Sequence, residues 1–191
     1  MKAYIILGNT REKSNTKAVA KVFGDELSKK GVEVSFIALR EKNVKSCVGC
    51  EMCHDKLDSF GCAINDDMQE IAAEIIASDL VVFTSPIYTW MPTPPLKAVM
   101  DRFFAFTKFP EGGEAFNLLK KQKFAVVATS ADDCAENCDL FDEAVNRLAK
   151  YAKLSHLGYL AALDKDVANG ISETVVNDAR NFAEKCVDAI K

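Results

Sequence analysis

One alternation runs the length of this chain: a short continuous apolar run, then a longer stretch whose apolar residues recur at helical spacing. Tyr4-Ile5-Ile6-Leu7 is the first such run, and Val19, Val22, Phe23 and Leu27 after it share one helical face. Val32, Val34 and Phe36 then alternate as a second strand. Past an irregular segment, Asp66-Asp67 opens a helix striped by Met68, Ile71, Ala72, Ile75 and Ile76, with Asp67 and Glu70 at capping-box spacing. Leu80 to Thr84 is again uninterrupted, as a parallel strand covered on both faces requires. A loop from Ser85 to Pro95 leads into a helix buried through Leu96, Val99, Met100 and Phe103. A surface excursion with Pro110 and Gly112-Gly113 precedes a strand at Phe124 to Thr129 and a loop at Ser130 to Asn137. A helix around Leu140 to Tyr151, a strand near Leu157 to Ala162 and a last helix carrying Val175, Val176, Ala179, Phe182, Cys186 and Ile190 close the pattern.

Five strands and five helices in strict alternation predict an α/β fold of three layers, a parallel sheet with helices on both faces. The natural strand order is the flavodoxin-like 2-1-3-4-5. The 191 residues suit one domain with a full core, interrupted by a cysteine-rich excursion at about residues 45–65. In that order the switch point lies between the first and third strands, and ligands bind beyond their carboxyl ends. Two loops meet there, Gly8 to Thr16 and Ser85 to Trp90, with Ser130 to Cys134 as a third wall.

The first loop places Ser14, Asn15 and Thr16 at the start of a helix, where unpaired N–H groups and the helix dipole favour an anion. It is neither Gly-x-Gly-x-x-Gly nor Gly-x-x-x-x-Gly-Lys-Ser/Thr, since Lys13-Ser14 lacks the second glycine. Taken alone it is equally a capped helix. The net charge of -4 without a basic cluster argues against nucleic acid as a partner. No apolar run nears the roughly 20 residues a membrane span needs, and the chain runs straight into a strand, so the expectation is a cytoplasmic protein. Two histidines and no Gly-x-Ser-x-Gly elbow leave hydrolytic catalysis little support.

Seven cysteines are an odd number, and four crowd into residues 47–62, which is unlike an evenly stapled secreted scaffold. Cys47-x-x-Cys50-x-x-Cys53, eight residues and then Cys62 can bring four thiolates to one cubane iron-sulfur cluster. The same set suits tetrahedral zinc, or thiols kept without metal, and its Cys-x-x-Cys pairs are readily oxidised. His54 reads as a solvent-exposed loop residue, Cys186 as core, and Cys134 and Cys138 as unconnected to the group.

With the loops placed, the sequence resembles the NAD(P)H-dependent FMN reductase branch of the flavodoxin-like proteins, and within it the iron-sulfur flavoproteins. The resemblance spans essentially the whole chain. It rests on Gly8 to Thr16, on Ser85-Pro86-Ile87-Tyr88 followed by Lys97 and Asp101-Arg102, and on the Cys47 to Asp67 segment. It implies an FMN-dependent oxidoreductase, with NAD(P)H as co-substrate and a small acceptor such as a quinone or free flavin. Arg11, Ser14, Asn15 and Thr16 are implied as phosphate contacts, with Asn9 where the motif usually has serine. Pro86, Ile87, Tyr88, Thr89 and Trp90 are implied around the isoalloxazine, and Ser130 is the one plausible flavin contact of the third loop. Cys47, Cys50, Cys53 and Cys62 become candidate ligands of a [4Fe-4S] cluster, and a ferredoxin-like protein a candidate electron partner. A homodimer or homotetramer is implied, with the subunit contact near the flavin and Trp90 free to cover the next subunit. Lys97 and Asp101-Arg102 read as a surface ion pair or a helix-loop brace.

Overall fold

The computed structural model describes residues 1–191. Its sheet consists of β1 (Lys2–Leu7), β2 (Glu33–Ala38), β3 (Leu80–Pro86), β6 (Lys123–Ser130) and β7 (Ser155–Leu163), all parallel in the order β2-β1-β3-β6-β7. Relabelled without the two short strands β4 (Thr107–Lys108) and β5 (Phe116–Asn117), which lie outside this sheet, this is the order 2-1-3-4-5. The α/β, flavodoxin-like architecture is therefore observed.

The continuous apolar runs serve two cores at once. Along β3, Val81 and Phe83 face one cluster while Leu80 and Val82 face the other, and all four are fully buried. Each such side chain is worth about 1.5–3 kcal/mol of apolar burial. One core receives α2 (Met68–Ala77), α3 (Pro94–Asp101) and α5 (Asp139–Tyr151); the other receives α1 (Asn15–Lys29) and α6 (Glu173–Ile190). Consequently the chain leaves β1 toward one face and β3 toward the opposite face. A cleft opens between those two exits.

Three details depart from the sequence pattern. A short antiparallel hairpin pairs β4 (Thr107–Lys108) with β5 (Phe116–Asn117) in the stretch expected to be a plain surface excursion. The loop after β6 contains a one-turn helix, α4 (Cys134–Asn137), so there are six helices where five were expected. Finally, Asp67 does not cap α2. Asp66 accepts from the Met68 N–H at 3.1 Å, while Asp67 accepts from Asn43 N–H at 2.7 Å and Glu70 pairs with Lys42. The carboxylates that looked like a capping box close the neck of the cysteine excursion instead.

Candidate functional site

Gly8 is the pivot of the cleft. Its N–H donates to Thr84 O at 2.8 Å, and its own carbonyl accepts from Thr93 Oγ1 at 2.6 Å. A Cβ there would lie 2.7 Å from Thr84 O and 2.9 Å from Leu96 Cβ. Only glycine lets the β1 and β3 exits approach so closely.

Beyond Gly8 lies a cavity of about 390 Å³. From the first loop it is lined by Asn9, Thr10, Arg11, Lys13, Ser14, Asn15 and Thr16, from the second by Pro86, Ile87 and Tyr88, and from the far side by Thr129, Ala131 and Asp164. Ser14 is the N-cap of α1, but its hydroxyl accepts from Lys17 N–H at a long 3.5 Å, and the first turn holds no acidic residue. The helix thus points largely uncompensated donors and its positive dipole end at the cavity.

The other first-loop residues have local duties as well. Asn9 is buried, donates through Nδ2 to Arg11 O at 2.6 Å, and leaves Oδ1 without a partner. Asn15 lines the cavity, yet its amide donates to the Asp164 carboxylate at 2.9 Å, tying α1 to the end of β7. Thr16 is fully buried and shares a 2.6 Å hydroxyl–hydroxyl bond with Thr129.

The second loop turns sharply. Tyr88 and Met91 exchange both backbone hydrogen bonds, at 3.0 and 3.2 Å, across Thr89 (φ 51°) and Trp90 (φ 62°). Positive φ at both central residues is the mark of a type I′ turn, an arrangement that costs a β-branched threonine dearly. The Ile87 N–H is taken by Thr129 O and that of Tyr88 by Met91 O, whereas the Thr89 and Trp90 N–H groups have no protein acceptor. Successive free N–H groups of this kind form a concave donor pair.

Of the residues expected on the flavin, Thr89, Trp90 and Ser130 do not line the cavity. Trp90 stands half exposed at the tip of the turn, and the Ser130 hydroxyl donates to Asp132 O at 2.6 Å. Thr129 and Asp164 line the cavity although sequence reasoning passed over them. The sheet register pairs Thr129 with Pro86, and nothing short of that pairing signals the contact.

A second cavity, of about 80 Å³, is lined by all four clustered cysteines together with Arg102, Phe104 and Ala105. Cys47 and Cys50 are exposed, Cys62 is half-buried and Cys53 is buried. Burial pushes the Cys53 thiol up, and the neighbouring Lys108 ammonium works against that. No three His, Cys, Asp or Glu side chains are close enough to hold one metal ion. The four cysteines share one cavity without forming a site for a single ion.

Arg102, read from the sequence as a surface ion pair or brace, is fully buried here and reaches into this second cavity. Its Nη1 donates to both Asp66 oxygens at 2.8 and 2.6 Å, and its Nη2 donates to Cys62 Sγ at 3.2 Å and to Ile64 O at 3.3 Å. Its Nε is buried without an acceptor. Burial tends to raise the Asp66 carboxyl, but Arg102 and the Lys45 and Met68 N–H groups outweigh it and hold it below the usual carboxylate range. Lys97 and Asp101 do form the expected surface pair. His54 packs between Phe104 and Phe109, at ring separations of 5.0 and 4.6 Å. The histidine is thus part of an aromatic group and not a free loop residue.

Residues 1–138 match the family described as NADPH-dependent FMN reductase. The chain belongs to that family. This FMN reductase family member is 32% identical over 102 residues to an iron-sulfur flavoprotein of Methanocaldococcus jannaschii, a match covering 53% of this chain and 51% of the relative. An iron-sulfur flavoprotein of Archaeoglobus fulgidus is 32% identical over 110 residues, 58% of this chain and 49% of the relative. The chain spans about half the length of the curated relatives it matches. Among solved structures, the NAD(P)H:quinone oxidoreductase of Methanothermobacter marburgensis superposes with a TM-score of 0.72 at 16% identity, over 96% of this chain and 94% of that one. An FMN-dependent NADH-azoreductase of Bacillus anthracis in complex with FMN gives 0.67 at 17% identity, over 100% and 99%. At such identities these likenesses establish the shared fold alone. No helix of this reductase-family chain is long and apolar enough to cross a membrane.

Proposed function

We propose that the chain is an FMN-dependent oxidoreductase that takes reducing equivalents from NAD(P)H and passes them to a small acceptor such as a quinone or free flavin. The observation that carries this reading is the 390 Å³ cavity, which joins a helix N-terminus to the Pro86-Ile87-Tyr88 segment at the sheet's switch point. Bound FMN would supply the hydride acceptance and electron release, and the protein's work is to bind and orient it. The α1 N-terminus, the Ser14 hydroxyl and the Arg11 and Lys13 side chains hold the phosphate. The orphaned Asn9 Oδ1 accepts from a hydroxyl of the sugar-like chain, satisfying an otherwise costly buried acceptor. Tyr88, the aromatic residue of the second loop that lines the cavity, would cover the ring. The test is to add FMN to flavin-free protein, then NAD(P)H without oxygen. Quenched flavin fluorescence followed by bleaching of the flavin band supports the reading, and free FMN that stays fluorescent overturns it.

A second reading is favoured by the four cysteines around one cavity: an iron-sulfur flavoprotein that exchanges electrons with a ferredoxin-like partner. A cubane interposes iron between each sulfur and its centre, so its ligands stand further apart than those of a single ion. The four cysteines lining one cavity, the Arg102 bond to Cys62 and the unpartnered Arg102 Nε fit such a group. Cys47, Cys50, Cys53 and Cys62 would hold it. Iron and labile sulfide in anaerobically purified protein, lost in Cys50→Ala, support this reading; their absence from the wild type removes it.

A further inference from the structure

Two cations are buried beside the cysteines, and a buried cation is costly unless something answers its charge. Arg102 is fully buried and has Asp66 as its counter-charge, with both side chains inaccessible. Lys108 is also fully buried, on the two-residue strand β4, and forms no ion pair. Its ammonium donates to Cys53 O at 3.0 Å and Phe60 O at 3.2 Å, which closes the excursion on itself but neutralises nothing. The titratable groups facing it are the Cys53 thiol, the Asp58 carboxylate and the Cys62 thiol. Arg102 lines the cavity with the four cysteines, Glu51 and Asp101 and donates directly to Cys62 Sγ, while Lys108 is held on the Cys53 carbonyl next to that lining.

We propose that Arg102 and Lys108 are positioning residues that raise the reduction potential of a cluster held by Cys47, Cys50, Cys53 and Cys62. This rests on the iron-sulfur reading above. One electron enters from reduced flavin, or from dithionite in the assay; no bond forms or breaks and no proton moves. The reduced group carries one more negative charge than the oxidised one. A fixed cation and a hydrogen bond to sulfur therefore stabilise the reduced form more, and in a site with little water the effect is weakly screened. Arg102 cannot lose its charge, and its bond to Cys62 spreads onto the sulfur that gains electron density.

The experiment compares the anaerobically purified wild-type chain, Lys108→Met, Lys108→Arg and the double variant Arg102→Met/Asp66→Asn. The last removes both members of the buried pair, so no lone charge is stranded. Iron and sulfide are assayed on each, and the cluster potential is read by redox titration. The expected result is unchanged iron with the oxidised-to-reduced ratio at fixed poise raised tenfold or more in Lys108→Met, about 59 mV downward for a one-electron couple. The double variant, which loses the Cys62 hydrogen bond but no net charge, shows a smaller downward shift. Lys108→Arg, which keeps the charge, stays within threefold of wild type. If Lys108→Met does not fold, Lys108→Gln carries the charge test, and the double variant tests the Cys62 hydrogen bond. Clusters present at full content with unshifted potentials overturn this inference and leave the iron-sulfur reading standing. No iron or sulfide in the wild type overturns both.

Discussion

Thr16 and Thr129 join α1 to β6 through a 2.6 Å bond between two fully enclosed hydroxyls, and both residues line the cleft. Read from the sequence, Thr16 was a phosphate contact only. In the structure its hydroxyl is a tie between α1 and β6. Thr16→Val strands the Thr129 hydroxyl and should cost about 1–3 kcal/mol in urea unfolding, whereas Thr16→Val/Thr129→Val, with neither partner left unpaired, should recover most of it. A double variant as unstable as the single one would contradict the tie.

At Gly8 the close approach sets the prediction. Gly8→Ala drives a Cβ into Thr84 O and Leu96 Cβ, so it should destabilise the protein by about 1–3 kcal/mol and weaken flavin binding by spreading the cleft. Unchanged denaturation midpoint and FMN affinity would show that β1 and β3 tolerate separation.

The strained turn makes the opposite prediction for stability. Thr89 holds φ 51° with a branched side chain, and relieving that strain outweighs the added chain entropy of glycine. Thr89 does not line the cavity, so Thr89→Gly should stabilise by about 1 kcal/mol while leaving flavin affinity within about threefold. A loss of stability would mean that the turn is held by the threonine side chain.

Much of this was legible in the letters because it repeats. Uninterrupted runs such as Leu80 to Thr84 and the helical stripes fix alternation, and alternation with right-handed crossovers leaves few sheet orders. Features that do not repeat were not legible. The β4–β5 hairpin has two residues per strand, too few for any period. Lysine and arginine are ordinarily exposed, so nothing marked Lys108 and Arg102 as interior. Asp66 and Asp67 are adjacent carboxylates, and only geometry divides their labour. In the site, the glycine-to-threonine loop could be read locally, but Thr129 and Asp164 join it through sheet register across more than a hundred residues.

Acid sensitivity should appear at Asp79, at the start of β3. Burial tends to raise its carboxyl, but Lys121 and the Lys2 N–H hold it below its usual value of 3.8. A depressed folded-state value means that its stabilisation is complete above 3.8 and is lost as pH falls through the lower, folded value. Asp79→Asn should therefore flatten the stability-versus-pH curve below about pH 4. A curve that keeps its full acid slope in the variant would assign that slope elsewhere.

The most direct measurement is a fluorescence titration of flavin-free protein with FMN, run on wild type and Ser14→Ala. Ser14 makes only a 3.5 Å cap bond, so its loss should cost under about 1 kcal/mol of fold stability, while a lost bond to a charged phosphate is worth about 1.5–3 kcal/mol of binding. The account predicts saturable one-to-one quenching in the wild type and affinity roughly 10- to 100-fold weaker in Ser14→Ala, with thermal unfolding nearly unchanged. Wild-type protein that leaves FMN fluorescence untouched, or Ser14→Ala that binds as tightly as wild type, would contradict it.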